Sequence, residues 1–99
     1  LSELRQVLNS NYEHAYAFIK ERMPRIRMFE MEATYLAWID VRDLNLDNPV
    51  AHFEENGVGL SEGAYFGSPG YVRLNLGCPR EMLDCALERM EKAYNKVAG

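Results

Sequence analysis

Ala33-Thr34-Tyr35-Leu36-Ala37-Trp38-Ile39-Asp40-Val41 is the stretch that decides the fold. Side chains alternate between the two faces of a strand. Here Tyr35, Ala37, Ile39 and Val41 share one parity, while Leu36 and Trp38 hold the other. A strand that is apolar on both faces is covered on both, which puts it in the middle of a sheet. Its partners lie on either side in the chain. Upstream, Arg25–Met31 sets Ile26, Met28 and Glu30 against Arg27, Phe29 and Met31, the period of a short strand. Downstream, Tyr71–Leu76 sets Val72, Leu74 and Leu76 toward a core and Tyr71, Arg73 and Asn75 away from it. Val58-Gly59-Leu60 reads as a fourth, short strand, followed by a Gly-rich loop from Gly63 to Gly70.

Outside these runs the apolar spacing changes to the helical period. Leu4, Val7, Leu8, Tyr12, Ala15, Phe18 and Ile19 trace one face of a long helix that Pro24 stops. A short helix spans Pro49–Asn56, with Asp47 or Asn48 as its cap and Asn56-Gly57 as its end signal. The last helix opens at Gly77-Cys78-Pro79 and carries the stripe Leu83, Leu87, Met90, Tyr94 and Val97. The order is α-β-β-α-β-β-α. Short links between neighbouring strands predict a small, mostly antiparallel sheet with helices on one face, an α/β (α+β) two-layer sandwich. Residues 1–99 form one domain, with 1–23 as a linking helix and 24–99 as the sheet-and-helix body.

Composition narrows the function. With 47% hydrophobic and 26% charged residues the chain is neither disordered nor a linker. A net charge of -4 argues against general nucleic-acid binding. The longest apolar run, Tyr35–Ile39, is far below the ~20 residues of a membrane span. Cys78 and Cys85 are spaced as two turns of helix, about 10 Å apart along it and too far for a disulfide, so free thiols and a cytoplasmic setting are expected. The chain begins at Leu1 without an initiator Met, as expected of a processing product or an excised domain.

Arg73 is the most pointed residue. It stands mid-strand beside a Gly-rich loop, on the face opposite Val72, Leu74 and Leu76, and its planar fork suits a carboxylate. The plainer reading is a salt bridge to Asp40 or Glu62. The Gly63–Gly70 loop does not match a phosphate-binding loop, because a strand rather than a helix follows it. Tyr65 and Phe66 either line a pocket there or pack on the sheet. His14 is expected to be solvated and His52 structural, and neither has a partner at metal-ligand spacing. Asp40, Arg42 and Asp43 look like a solvated strand end, with a charge pair at a cleft as the other reading. Cys78, near a helix start, is a candidate for a lowered thiol pKa, though no base adjoins it. Lys20, Lys92 and Lys96 fall on polar helical faces. The residues alone therefore offer one carboxylate site and no catalytic set.

Two blocks carry a resemblance. Glu32-Ala33-Thr34-Tyr35-Leu36-Ala37-Trp38-Ile39-Asp40 is one; Gly63-Ala64-Tyr65-Phe66-Gly67 with Arg73-Leu74-Asn75-Leu76-Gly77-Cys78-Pro79-Arg80 is the other. With the helix around Met82–Met90 they resemble the C-terminal small domain of fold type I pyridoxal-phosphate enzymes, in the cystathionine β-lyase/C–S lyase branch of the class I/II aminotransferases. The departures are Met31 and Glu62, where relatives usually carry Pro, and a shorter stretch between Phe66 and Arg73. The resemblance implies that Arg73 binds the α-carboxylate of an amino-acid substrate, that Asn75 supports it from the same face, and that Tyr35 and Phe66 lie toward the cleft. It implies a parent enzyme, a homodimer, that uses pyridoxal 5'-phosphate to eliminate a thiol from cysteine S-conjugates, or alternatively an aminotransferase. The Schiff-base lysine and the phosphate-binding groups would belong to a large domain, so this chain alone should hold no cofactor and be inactive. A free-standing amino-acid-binding module is the reading from another class.

Overall fold

The computed structural model describes residues 2–31, 35–65 and 68–98, with side chains described at most of these positions. In chain order the elements are α1 (Ser2–Arg22), β1 (Arg27–Met31), β2 (Leu36–Asp40), a 3-10 turn (Arg42–Leu44), α2 (Pro49–Glu55), β3 (Ser61–Tyr65), β4 (Ser68–Asn75) and α3 (Arg80–Ala98). The strands form one sheet in the order β1-β2-β4-β3, with every neighbouring pair antiparallel. The α-β-β-α-β-β-α order and the antiparallel sheet agree with the sequence reading, and β2 is central as its two apolar parities required.

The register shows which face is core. Ala37 pairs with Leu74 and Ile39 with Val72, and all four are buried. Leu8, Ala15 and Ile19 of α1, Phe53 of α2, and Leu83, Leu87 and Met90 of α3 close the same hydrophobic core. The helices thus cover one face of the sheet. On the other face β2 and β4 pair Leu36 with Asn75, Trp38 with Arg73 and Asp40 with Tyr71. Leu36 and Trp38 are only half-buried there, so the second apolar parity of β2 is not covered within the described residues.

Three local readings are corrected. The strand expected at Val58-Gly59-Leu60 lies instead at Ser61–Tyr65, running into the expected Gly-rich loop, and β4 begins at Ser68 rather than Tyr71. Val58 and Leu60 still point into the core, but hairpin pairing between β3 and β4 overrides the poor strand propensity of Ser, Glu and Gly. Tyr35 does not continue the β2 alternation; its φ of 69° turns the chain and leaves the side chain 43% exposed. On the helices, the buried stripe of α1 is Leu8, Asn11, Ala15 and Ile19, whereas Val7 is 50% exposed, and Val97 of α3 is also exposed. The side chain of Leu4 lies outside the described residues.

The short helix forms as its sequence dictates. The Asn48 side chain accepts the Ala51 N–H at 3.1 Å, Pro49 follows at the first turn, and Gly57 takes a φ of 88° just past the end. His52 bridges α2 to α3, its Nε2 lying 2.9 Å from the Ala93 carbonyl oxygen, a structural role as expected. A second glycine is demanding. Gly70 has a φ of 94°, and a Cβ there would stand 2.5 Å from Cγ of Arg42. Gly70→Ala is therefore expected to cost about 1–3 kcal/mol through both strain and overlap. Urea unfolding of the variant reads this directly; an unchanged midpoint would contradict it.

Candidate functional site

The helix-free face of the sheet carries Arg73. Its strand, β4, is flanked on both sides, with Trp38 of β2 and Ser61 of β3 as its cross-strand partners. Position 73 is thus fixed by backbone ladders on either edge. The guanidinium lies over the Trp38 ring at 5.5 Å from its centroid. Such stacking holds the plane of the fork. The rival reading, a salt bridge to Asp40, does not hold: Asp40 takes Arg42 instead, with Nε at 3.0 Å and Nη2 at 2.8 Å. Glu62's side chain lies outside the described residues.

Asn75 stands two residues on, exposed on the same face, at the position that β2 pairs with Leu36. Its Oδ1 accepts the Gly77 N–H at 2.7 Å, closing the turn after β4 and leaving the side-chain NH2 as the end that can reach a ligand. Tyr35 meets the same turn. Its carbonyl accepts the Leu76 N–H at 2.8 Å, and its ring flanks Gly77, where a Cβ would stand 3.5 Å from Tyr35 Cδ2 and 3.3 Å from Asn75 Oδ1. The structure thus brings Tyr35 and Asn75 to one end of the sheet, with Arg73 two pairs further in on the same face. Phe66 lies outside the described residues.

The opposite end of the same face is a separate, charged cleft of about 340 Å³ lined by Arg25, Arg27, Asp40, Arg42 and Asp43. The hydrogen bonds from Arg42 hold the Asp40 carboxyl below the ordinary carboxylate range. Both readings describe it: the Asp40–Arg42 pair lines the cleft, and Arg42 and Asp43 are exposed. Two other residues differ from expectation. Burial pushes the Cys78 thiol up, the reverse of activation by a helix start. His14 is not simply solvated; its Nε2 lies 2.5 Å from Asp84 Oδ1 and joins α1 to α3. Cys78 and Cys85 are both free thiols. Among the described residues no helix is long and apolar enough to cross a membrane, and no group of three His, Cys, Asp or Glu is placed to hold a metal ion.

No family model matches the chain. Individual proteins do. Protein MalY of Escherichia coli K12 is 35% identical over 102 residues, which cover 98% of this chain and 26% of MalY. Cystathionine beta-lyase PatB of Bacillus subtilis 168 is 30% identical over 100 residues, 96% of this chain and 26% of PatB. Among solved structures, the PLP-bound C-S lyase of Staphylococcus hominis superposes with a TM-score of 0.86 at 26% identity, over 99% of this chain and 28% of that one. The chain is homologous to part of the pyridoxal-phosphate-dependent C–S lyases. It spans about a quarter of the length of these relatives.

That homology makes the lysines decisive, because pyridoxal phosphate is held through a lysine imine. The sequence has three, Lys20 on α1 and Lys92 and Lys96 on α3, all exposed on the helix layer that covers the opposite face from Arg73. The residues present do not fit the cofactor by themselves.

One residue of the site region escapes a periodicity reading. Asn11 is buried to 2% exposure in α1 and donates to the carbonyl oxygens of Leu76 and Cys78, each at 3.0 Å. The signal was available: Asn11 is the polar member of the stripe Leu8, Asn11, Ala15, Ile19. A buried amide on an apolar stripe needs partners for its N–H and C=O groups.

Proposed function

We propose that the chain is the C-terminal small domain of a pyridoxal-phosphate-dependent C–S β-lyase, in which Arg73 holds the α-carboxylate of a cysteine S-conjugate. The observation that carries this is the guanidinium fixed over Trp38 on the helix-free face of a central strand. Asn75 and Tyr35 lie at the same sheet end and would frame the carboxylate. α1 would lead in from the rest of the enzyme. Holding the carboxylate orients the Cα–H bond for removal, which converts binding into a geometric advantage in the reaction. The cofactor, when bound by the rest of the enzyme, supplies the electron sink for the carbanion. The overall reaction of the whole enzyme would convert a cysteine S-conjugate and water to a thiol, pyruvate and ammonia. The parent would be a homodimer, and the two free thiols suit a reducing cytosol.

An aminotransferase is the second reading. A PLP-bound protein from Clostridium difficile 630 assigned as an aminotransferase shares 36% identity with a TM-score of 0.85 over 95% of this chain. A carboxylate anchor serves both chemistries. The products separate them. The full-length protein that contains this chain, incubated with S-methyl-L-cysteine, is expected to release methanethiol and pyruvate in equal amounts without an added 2-oxo acid. Amino-group transfer to a 2-oxo acid with no thiol released would make the aminotransferase reading the correct one.

A further inference from the structure

We propose that Asn11 is a positioning residue for the carboxylate site, acting from the buried face of α1 on the turn that ends β4. This rests on the reading of Arg73 as the carboxylate anchor. The turn, Asn75 to Cys78, is gripped from three directions. Asn75 closes it from within through Gly77, the carbonyl of Tyr35, just before β2, holds Leu76, and Asn11 holds the carbonyls of Leu76 and Cys78 from α1.

Asn11 is itself held. Its Oδ1 accepts from Arg80 Nε at 3.1 Å, and Arg80 Nη2 reaches Ser10 Oγ at 2.7 Å. Both amide N–H groups and the carbonyl oxygen are therefore used, and the side chain has one orientation. The contacts cross 65 to 69 positions of sequence, so they join α1, the end of β4 and the first residue of α3 into one rigid corner. Two further α1–α3 ties, His14 to Asp84 and Arg22 to Glu91, keep the helices in step along their length. A leucine at position 11 would fit the apolar stripe without any of these demands. An amide there fixes direction instead, which is what fully satisfied buried networks contribute. The part so directed is the strand end that presents Arg73 and Asn75.

The test uses the full-length protein with S-methyl-L-cysteine as substrate and S-methylcysteamine, its counterpart lacking the carboxylate, as a competitive inhibitor. Asn11→Asp keeps the size and the acceptor for Arg80 but removes both donors. We expect it to raise KM for the amino acid about 3- to 10-fold, the loss of one or two net hydrogen bonds. The inhibition constant of the amine is expected to move less than about twofold, and kcat to follow KM only weakly. Arg80→Leu, at an exposed residue, serves where Asn11→Asp fails to fold; it frees Asn11 to rotate and is expected to give the same split at smaller amplitude. Unchanged KM in whichever variant folds, or equal losses for amino acid and amine, would overturn the proposal. Arg73→Ala run alongside separates the two ideas: if it weakens amino acid and amine equally, or neither, the anchor reading itself has failed, whereas a selective loss of the amino acid there with none at Asn11 removes only the positioning role.

Discussion

Arg73→Ala in the full-length protein is expected to lower kcat/KM for a cysteine S-conjugate by about 30- to 1000-fold, a loss of about 2–4 kcal/mol of transition-state binding. The size follows from the contact. A guanidinium meeting a carboxylate makes two parallel charge-assisted hydrogen bonds, stronger than neutral ones and specific in direction. In this chain the fork is held in advance: β2 and β3 fix the backbone of β4 on both sides, and Trp38 lies under the guanidinium. Little ordering is left to be done when the substrate arrives. Lysine retains the charge but neither the fork nor the stacking plane, so Arg73→Lys should recover only part of the loss. Steady-state kinetics at subsaturating substrate measure both. An alanine variant with unimpaired kcat/KM would remove Arg73 from the site.

Phe53→Ala is expected to show the largest loss of stability, about 3–5 kcal/mol, as is usual when a buried aromatic is cut back to a methyl. Phe53 is fully buried and stands in the core shared with the sheet and with α1 and α3. It also anchors the end of α2, since its carbonyl accepts the N–H groups of Asn56 and Val58 at 3.0 and 2.9 Å. The cavity cannot collapse easily, because α2 is short and pinned by Asn48 at one end and by the Arg89 contact to the Gly57 carbonyl at the other. A domain of this size has only about 5–15 kcal/mol to lose, so the variant should unfold at far lower urea. Trp38, the single tryptophan of the chain, reports the transition. A shift in midpoint equivalent to less than about 1 kcal/mol would contradict the packing described.

Much of this arrangement was legible in the chain. The double parity of Leu36–Val41 placed β2 in the centre, and the alternation at Val72, Arg73 and Leu74 put Arg73 on the face away from the helices. The structure makes β2 central through pairing on both edges, while Leu36 and Trp38 on its second face are only half-buried. The errors have physical causes too. β3 was hidden because Ser61-Glu62-Gly63 has no strand preference of its own and becomes a strand by pairing with β4. Tyr35 was counted into the β2 alternation because alternation assumes extended backbone, which its positive φ interrupts. Asn11 and the His14–Asp84 pair depend on partners 65 or more positions away, which periodicity along one helix cannot supply.

The central claim, that Arg73 recognises a carboxylate, is tested most directly by offering the enzyme the same ligand with and without that group. S-methyl-L-cysteine and S-methylcysteamine are compared on the wild-type full-length protein and on Arg73→Ala. The account predicts that the substitution weakens the amino acid by at least about 30-fold while the amine changes by less than about twofold, because only the first uses the guanidinium. Equal losses for the two ligands, or a wild-type enzyme that does not distinguish them, would contradict it.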